Sequence, residues 1–536
     1  MHLHLSEMPT RKYNAVRGRV RPRATALVVI ASAASWAIPG SPAGASQPGW
    51  KANASAAAGS TLVVALPTGP STLDPQGNGL LANRLTWDLA YQCLLNTTNS
   101  GQIVPELATG YTASTNGLHY VFTLRQGVQF QNGDPFNSSD VVYTFNRLFK
   151  VGAAAETVLF SNYKSVTALG PYKVEFNLSA PNAGFAATMA SPQAYGCAII
   201  DEKAGQSGEL TNRMVGTGPW EQTSYSPNEE MTLTRFANYW GPKTAAANLD
   251  VLYVPVATTE VTDLEAGKVD LLVAPEPAIV SLKGDQAVQT VAVSSDNVVG
   301  LQLNNDAAPF NKVDARRAVS VALNRAALGQ IAYAGGAVPT GPVPPSYSWA
   351  TPLSKLPYSL YNPTQAKQLL TDAGYPHGVS VTMKYITSYD WGTNALMQQV
   401  AQQLGAVGIK VTLVPQDVAT WAKQVIFSTN YQIGWNEFAY YSDPYTYVQL
   451  EANRYGAGVG PIPPALNALQ NAALSASPSG FTAAINKITE WQYENAFPNI
   501  NLVALDTYAA YLKAHVSNVQ VLSSGSTQYL AQVKVS

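Results

Sequence analysis

The chain has 536 residues and a mass of 57.0 kDa, longer than one ordinary domain and suited to two or three. Only 12% of residues are charged, about half the usual share of roughly 25%, while 46% are apolar and Gly and Pro are near average, which argues against a disordered, collagenous or coiled-coil chain. Net charge is −1, but the first 45 residues hold six of the 32 Lys and Arg and one of the 33 Asp and Glu, so the remaining body is mildly acidic and has no basic runs, which argues against nucleic acid and anionic membrane surfaces as partners.

Arg11, Lys12, Arg17, Arg19, Arg21 and Arg23 form a cationic stretch ahead of ATALVVIASAASWAI, Ala24 to Ile38, which carries no charge. Its length fits a signal h-region, because a membrane span needs about 20 apolar residues. Ala43-Gly44-Ala45 supplies the small-x-small pattern of a signal-peptidase site. Residues 1–45 are therefore expected to be a signal peptide, and 46–59 a loose Ala/Ser-rich tail. The n-region has no adjacent Arg pair for the twin-arginine route, and no Cys near the cleavage point offers a lipid anchor. An exported, soluble protein of the periplasm or cell surface is expected. Cys93 and Cys197 are the only cysteines, and in an exported chain they form either one disulfide or two buried thiols.

In chain order, TLVVAL (Thr61 to Leu66) reads as a buried strand broken by Gly69-Pro70-Ser71 and Asp74-Pro75. His119 to Leu124 alternates as a strand, with Val128 to Phe130 following it, and Asn132-Gly133-Asp134 is a turn. Ser139 is expected to cap a helix over 140–149 with Val141, Val142, Phe145 and Leu148 on one face. Val251 to Val256 reads as a parallel-type strand, and Val261 to Leu272 as a helix closed by Gly267 and then a strand. In the second half, Val298 to Leu303 is a strand and 314–330 one helix. Asn362 caps a helix that has Pro363 at its first position and ends at Gly374. A strand at 379–383, a helix at 394–404 and a strand at 409–414 follow. This alternation predicts α/β lobes with mostly parallel sheets.

Chemistry-bearing motifs are few. His119, His377 and His515 are far apart, and no metal-ligand spacing, nucleophile elbow, P-loop or dinucleotide fingerprint occurs, so neither a cofactor nor a protein-held metal is expected. Glu229-Glu230 are adjacent and read as a hydrated turn, since neighbours in a strand face opposite ways. Aromatic residues, by contrast, crowd between Trp421 and Tyr455. Tyr and Trp pair large area with a polar tip, which suits a cleft gripping a polar ligand as well as it suits a core. The run from Phe438 to Tyr445 carries the turn signals of a loop, where core packing is the poorer explanation.

Taken in order, the following segments resemble the family 5 extracellular solute-binding proteins of ABC importers, the peptide, nickel and opine binders: Leu73-Asp74-Pro75, YVFTLRQGVQFQNGDPFNSSDVVYTFNRL (Tyr120 to Leu148), GTGPW (Gly216 to Trp220), NYWG (Asn238 to Gly241), GKVD (Gly267 to Asp270), FNKVDARRAVSVALNR (Phe310 to Arg325), YNPTQAKQLLTDAGY (Tyr361 to Tyr375) and Asp443-Pro444. The resemblance implies a two-lobed α/β fold of the periplasmic-binding-protein type (the large type II class) with a subdomain inserted in the first lobe. Lobe one would take 60–103, 211–297 and 506–536, the insert 104–210, and lobe two 298–505, with crossovers near Val298 to Asn304 and Asn501 to Asp506. The protein would be no enzyme but a monomeric capture component, closing on a small molecule or peptide and delivering it to permease and ATPase subunits. Aromatic contacts from Tyr389, Trp421, Trp435, Tyr440 and Tyr441, with Asp443, would face backbone groups of the Pro67 to Ser71 loop, Thr68 and Gly69 among them.

Two departures bear on the ligand. Dipeptide-binding relatives place an acidic residue three positions before the Asp of the Asp-Pro pair to hold the ligand ammonium; here it is Tyr440. They also place an Arg two residues before a Tyr to hold the carboxylate; Tyr389 matches that Tyr, so the Arg position is Thr387. Fixed charged termini without partners would be costly to desolvate, which argues against a tight free-dipeptide binder. A longer peptide held through its backbone is favoured, with an uncharged oligosaccharide stacking on the aromatics as the alternative. A secreted hydrolase of peptides or glycans, or a sensory or chaperone role, are the readings from other classes.

Overall fold

The computed structural model describes residues 59–536 apart from 78–80, 99–101, 152–159, 161, 183, 191–194, 274–281, 283, 348, 388–391, 427, 440–462, 477, 498 and 523–524, together with a two-residue strand at Trp36–Ala37. β1 (Thr61–Leu66) has Leu62, Val64, Ala65 and Leu66 all at zero exposure, the burial of a strand covered on both faces. After α1 (Leu81–Trp87) the chain builds a separate antiparallel sheet from β2 (Ala108–Ala113), β3 (His119–Leu124), β4 (Tyr163–Gly170) and β5 (Lys173–Leu178), ordered β2-β3-β5-β4. Trp36 and Ala37 pair with Ala113 and Thr112 on its free edge. Against this sheet packs α2 (Ser138–Val151), burying Val141, Phe145 and Leu148 at the expected spacing. Its cap differs from expectation. Asn137 Oδ1 accepts from Ser139 N at 2.8 Å while Asp140 Oδ2 accepts from Asn137 N at 2.9 Å, a reciprocal pair that places the cap at Asn137.

The main sheet resumes with β6 (Trp220–Ser226), β7 (Glu230–Arg235) and β8 (Asn248–Tyr253). Next come α3 (Ala257–Glu265), β9 (Leu271–Val273) and the long β10 (Val288–Leu303). The second half holds α4 (Val313–Ala322), α5 (Arg325–Ala332), β11 (Ala337–Pro339), α6 (Pro363–Asp372), β12 (Val379–Ile386), α7 (Thr393–Ala406), β13 (Ile409–Gln416), β14 (Ile433–Ala439), α8 (Pro464–Leu474) and α9 (Pro478–Asn495). β15 (Asn499–Leu512) then brings the chain back. The single helix expected over 314–330 is two. Leu323 is extended at φ −104°, and the Asn324 side chain accepts from Ala327 N at 3.1 Å, capping α5.

These strands form one 11-stranded sheet in the order β13-β12-β14-β10-β15-β9-β1-β8-β7-β6, with β11 beside β15. It is mixed, not mostly parallel. β13, β12 and β14 run parallel, as do β9, β1 and β8, but β10 and β15 are antiparallel to each other and to β14 and β9. The reason is topological: β10 carries the chain from one half of the sheet to the other and β15 carries it back, so the two must run in opposite senses. Separate cores flank this pair. One gathers β1, β8, Trp87 and Trp220; another gathers the second half of β10 and the first half of β15 with β12, β14 and the helices α4 to α7. The inserted sheet keeps its own core, rich in Phe.

Candidate functional site

In open α/β sheets the crevice beyond the carboxyl ends of the strands is the ordinary ligand position. Here β1 has β8 on one flank and β9 on the other, and residues 67–77 leave its carboxyl end. That loop is fixed through its backbone. Tyr225 Oη donates to Pro70 O at 2.6 Å, Ser71 N donates to Asn83 Oδ1 at 2.7 Å, Trp87 Nε1 donates to Thr72 O at 2.9 Å and Tyr91 Oη to Leu73 O at 3.2 Å. Gly69 lies buried on the Tyr253 ring, and a Cβ there would stand 3.1 Å from the ring and 3.3 Å from Asn228 N. Thr68 is exposed at the tip. The loop therefore offers a backbone edge held in place, with the hydroxyl-bearing Thr68 and Ser71 exposed.

A second rim follows from the crossover. Pairing of β10 with β15 slips between Ser294 and Val298, and slips again between Val299 and Gly300. Asn297 Nδ2 donates to Glu437 Oε1 of β14 beside the first slip. β14 ends at Ala439, in register with Asn297. Tyr440, Tyr441 and Asp443 come next in the chain and lie outside the described residues, as does Tyr389 after β12. Thr387 is described and exposed.

Trp421 and Trp435 belong to the second-half core. Trp435 is 1% exposed and Trp421 9%, their rings tilted at 66° with centroids 5.6 Å apart. Tyr431, at 5%, joins the same core. The aromatic crowding seen in the sequence thus divides into a core group and a group outside the described residues.

Several motif residues turn out to be braces between chain segments. Asp74 is held by the Arg147 guanidinium, with Arg147 Nη1 3.1 Å from Asp74 Oδ1 and 2.8 Å from Gln76 Oε1, tying the 67–77 loop to α2. Gly216 and Gly218 press against the Ala90 backbone, where a Cβ on Gly218 would stand 2.8 Å from Ala90 O. Arg325, 4% exposed, donates to Asn501 O at 2.7 Å and Ser359 O at 2.6 Å. Cys93 and Cys197 are joined in a disulfide, with Cα atoms 5.2 Å apart.

Two buried carboxyls escaped sequence reasoning, because nothing in their neighbours marks them. Glu106, 1% exposed, accepts from Cys93 N at 3.0 Å and from the amides of Gln92 and Asn96 at 3.1 Å. Burial raises it to about 8 and raises nearby Asp88 to about 6. Both line a cavity of about 20 Å³ with Asn96 and Gln528. Among the described residues no group of three or more His, Cys, Asp or Glu is placed to hold a metal, and no helix is long and apolar enough to cross a membrane.

Solved structures carry the same fold. The periplasmic binding protein DppA of Helicobacter pylori, ABC transporter-associated and in complex with the peptide STSA, superposes with a TM-score of 0.74 over 89% of this chain and 98% of its own, at 22% identity. A dipeptide-binding protein of Pseudoalteromonas in complex with Met-Leu gives 0.75 over 89% and 100%, at 20% identity. The mixed α/β architecture is thus a periplasmic-binding-protein fold. The family model for bacterial extracellular solute-binding proteins, family 5 middle, matches residues 102–456, and the glutathione-binding protein GsiB of Escherichia coli O1:K1 is 31% identical over 375 residues, 68% of this chain and 71% of GsiB. The chain belongs to the bacterial extracellular solute-binding proteins of family 5, and its role is that of the substrate-binding component of an ABC importer.

Proposed function

We propose that the ligand is a short peptide, captured between the lobes and handed on chemically unaltered to permease and ATPase subunits. In this reading lobe one comprises 60–103, 211–297 and 506–536, the insert 104–210 and lobe two 298–505, and the protein acts as a monomer after export and removal of 1–45. The observation that carries the reading is the broken β10–β15 pairing between Ser294 and Val298, which separates the core holding Val288, Tyr508 and Ala510 from those holding Val298, Ala504, Val299 and Val503. A two-strand link with a register slip is where a hinge costs least, since few contacts must change. In this reading the 67–77 edge, with Thr68 and Gly69, would supply main-chain partners from lobe one, and Tyr389, Tyr440, Tyr441 and Asp443, which lie outside the described residues, would supply the contacts from lobe two. Trp421 and Trp435 would act through the second-half core, where their rings pack together.

The peptide class is supported by what the relatives bind: glutathione for GsiB, STSA for the Helicobacter protein and Met-Leu for the Pseudoalteromonas protein. Neutral Thr387 and Tyr440 at the positions of the charge anchors favour a peptide held by its backbone. The same neutrality supports a second reading, an oligosaccharide on the aromatic wall. Native mass spectrometry of protein purified from its own host, followed by calorimetric titration with glutathione, the tetrapeptide STSA and a maltooligosaccharide, separates them. Peptide binding without turnover is expected; sugar binding alone would install the second reading, and cleavage of any of the three would sink both.

A further inference from the structure

The register of β14, β10 and β15 lays two rows of residues across one face of the sheet: Asn436, Gly300 and Asn501 in one, Gly434, Gln302 and Asn499 in the next. Directly opposed residues share a face, and every second residue along a strand returns to it. The 3.4 Å approach of Asn436 Nδ2 to Gln302 Oε1 agrees with this placement. A covered sheet face is normally apolar, yet four of these six positions are carboxamides and two are glycines. All four carboxamides are buried, Gln302 at 0%, Asn436 and Asn501 at 1% and Asn499 at 5%.

Val298 and Ala504 continue the same face, and they pack with Leu466 and Ala473 of α8 and Ile485 and Ile488 of α9. Helical spacing sets Gln470 between Leu466 and Ala473, Thr489 one turn after Ile485 and Gln492 one turn after Ile488, all on the side that covers the sheet. Gln470 Nε2, Thr489 Oγ1, both polar atoms of Gln492 and both of Asn499 are buried without a hydrogen-bond partner. Buried polar groups in folded proteins are nearly always satisfied by protein or by ordered water.

We propose that this layer is a built hydration site, a small group of ordered water molecules held between the sheet face and helices α8 and α9. Its chemistry selects the occupant. Donors and acceptors are both present among these neutral side chains; the charge nearest them, Arg325, donates to the main-chain oxygens of Asn501, Ser320 and Ser359. Val298, Ala504, Leu466, Ala473, Ile485 and Ile488, all at 0% exposure, border it on its apolar side. The floor of the layer is the second half of β10 and the first half of β15, the strands that cross between lobes. Water-mediated bonds re-form after small displacements, whereas interlocked apolar side chains resist them.

A high-resolution crystal structure of the full chain tests this, together with oxygen-17 relaxation dispersion, which counts long-lived internal waters. The expected result is ordered water about 2.7–3.2 Å from the Gln492 and Asn499 carboxamides, and a count that falls in the Gln492→Leu/Asn499→Leu variant. Carboxamides bonded directly to each other or to the main chain, density for an organic molecule, or an unchanged count in a folded double variant would each overturn it. Should the double variant fail to fold, the crystal structure and the count for the unaltered protein decide alone.

Discussion

Glu106 shows how burial sets a single residue's behaviour. Its neutral form is the one the fold accommodates, so its contribution to stability is complete below its ordinary value of 4.5 and is lost as pH rises through about 8. Asp88 adds a change of the same sign between 3.8 and about 6. Stability measured by urea unfolding is therefore expected to fall between pH 5 and 8, by at most about 1.4 kcal/mol per pH unit for each group. Glu106→Gln should flatten that slope, although it weakens the fold by replacing one of the two accepting oxygens with an NH2 that meets another donor; an unchanged slope would contradict the assignment. The aromatic residues divide by the same criterion. Trp435→Ala empties a site 1% exposed and should cost about 3–5 kcal/mol of stability. Tyr440→Ala should instead leave stability nearly unchanged and weaken ligand binding by about 1–3 kcal/mol, read by calorimetry.

Among elements, the joints between segments distant in sequence matter most. The Cys93–Cys197 bridge closes a loop of 104 residues between the start of the chain and the end of the inserted sheet. A loop of that length gives about 4–5 kcal/mol in the chain-entropy picture, so Cys93→Ala/Cys197→Ala should lose about 2–5 kcal/mol, measured as a shift in the denaturation midpoint. The Ala90–Gly216 contact leaves no room for a side chain, because both partners are backbone. Gly216→Ala is expected to abolish folding of the first lobe, with the loss of its cooperative thermal transition as the readout. The Asp74–Arg147 pair works differently: it ties a loop to a helix of the inserted sheet through side chains that can relax, and its loss should be milder than that of Gly216.

For the whole molecule, the controlling quantity is the difference in ligand affinity between open and closed forms. A shift from 1:99 to 99:1 closed needs about 5.5 kcal/mol of differential binding, so the ligand must touch both lobes. Saturating peptide should reduce the radius of gyration in solution scattering and, at a hundred times Kd, raise stability by about 2.7 kcal/mol. A peptide that stabilises without compaction would place its site on one lobe alone.

Much of the architecture was legible because its signals are local. Leu62, Val64 and Leu66 spell a buried strand, Asn362-Pro363 a helix start and Gly374 its end, and each depends only on residues a few positions away. The split at Asn324 and the cap at Asn137 were missed for a local reason too: several residues in each stretch are capable of capping, and only the neighbouring packing selects one. Family membership was legible from eight motifs in order, although Asp74, Gly216, Gly218 and Arg325 proved to be structural braces with no visible ligand role. What the amino-acid order alone determined was therefore part of the set of helices and strands, the α/β class and the kinship; α8, α9, β14 and β15 were not read from it. Tertiary structure decided the rest: that Trp435 is core, that Glu106 is buried as an acid, and that carboxamides from β10, β14 and β15 share one covered face. Burial and register depend on strand partners far apart in the chain, and no window of neighbouring residues contains that information.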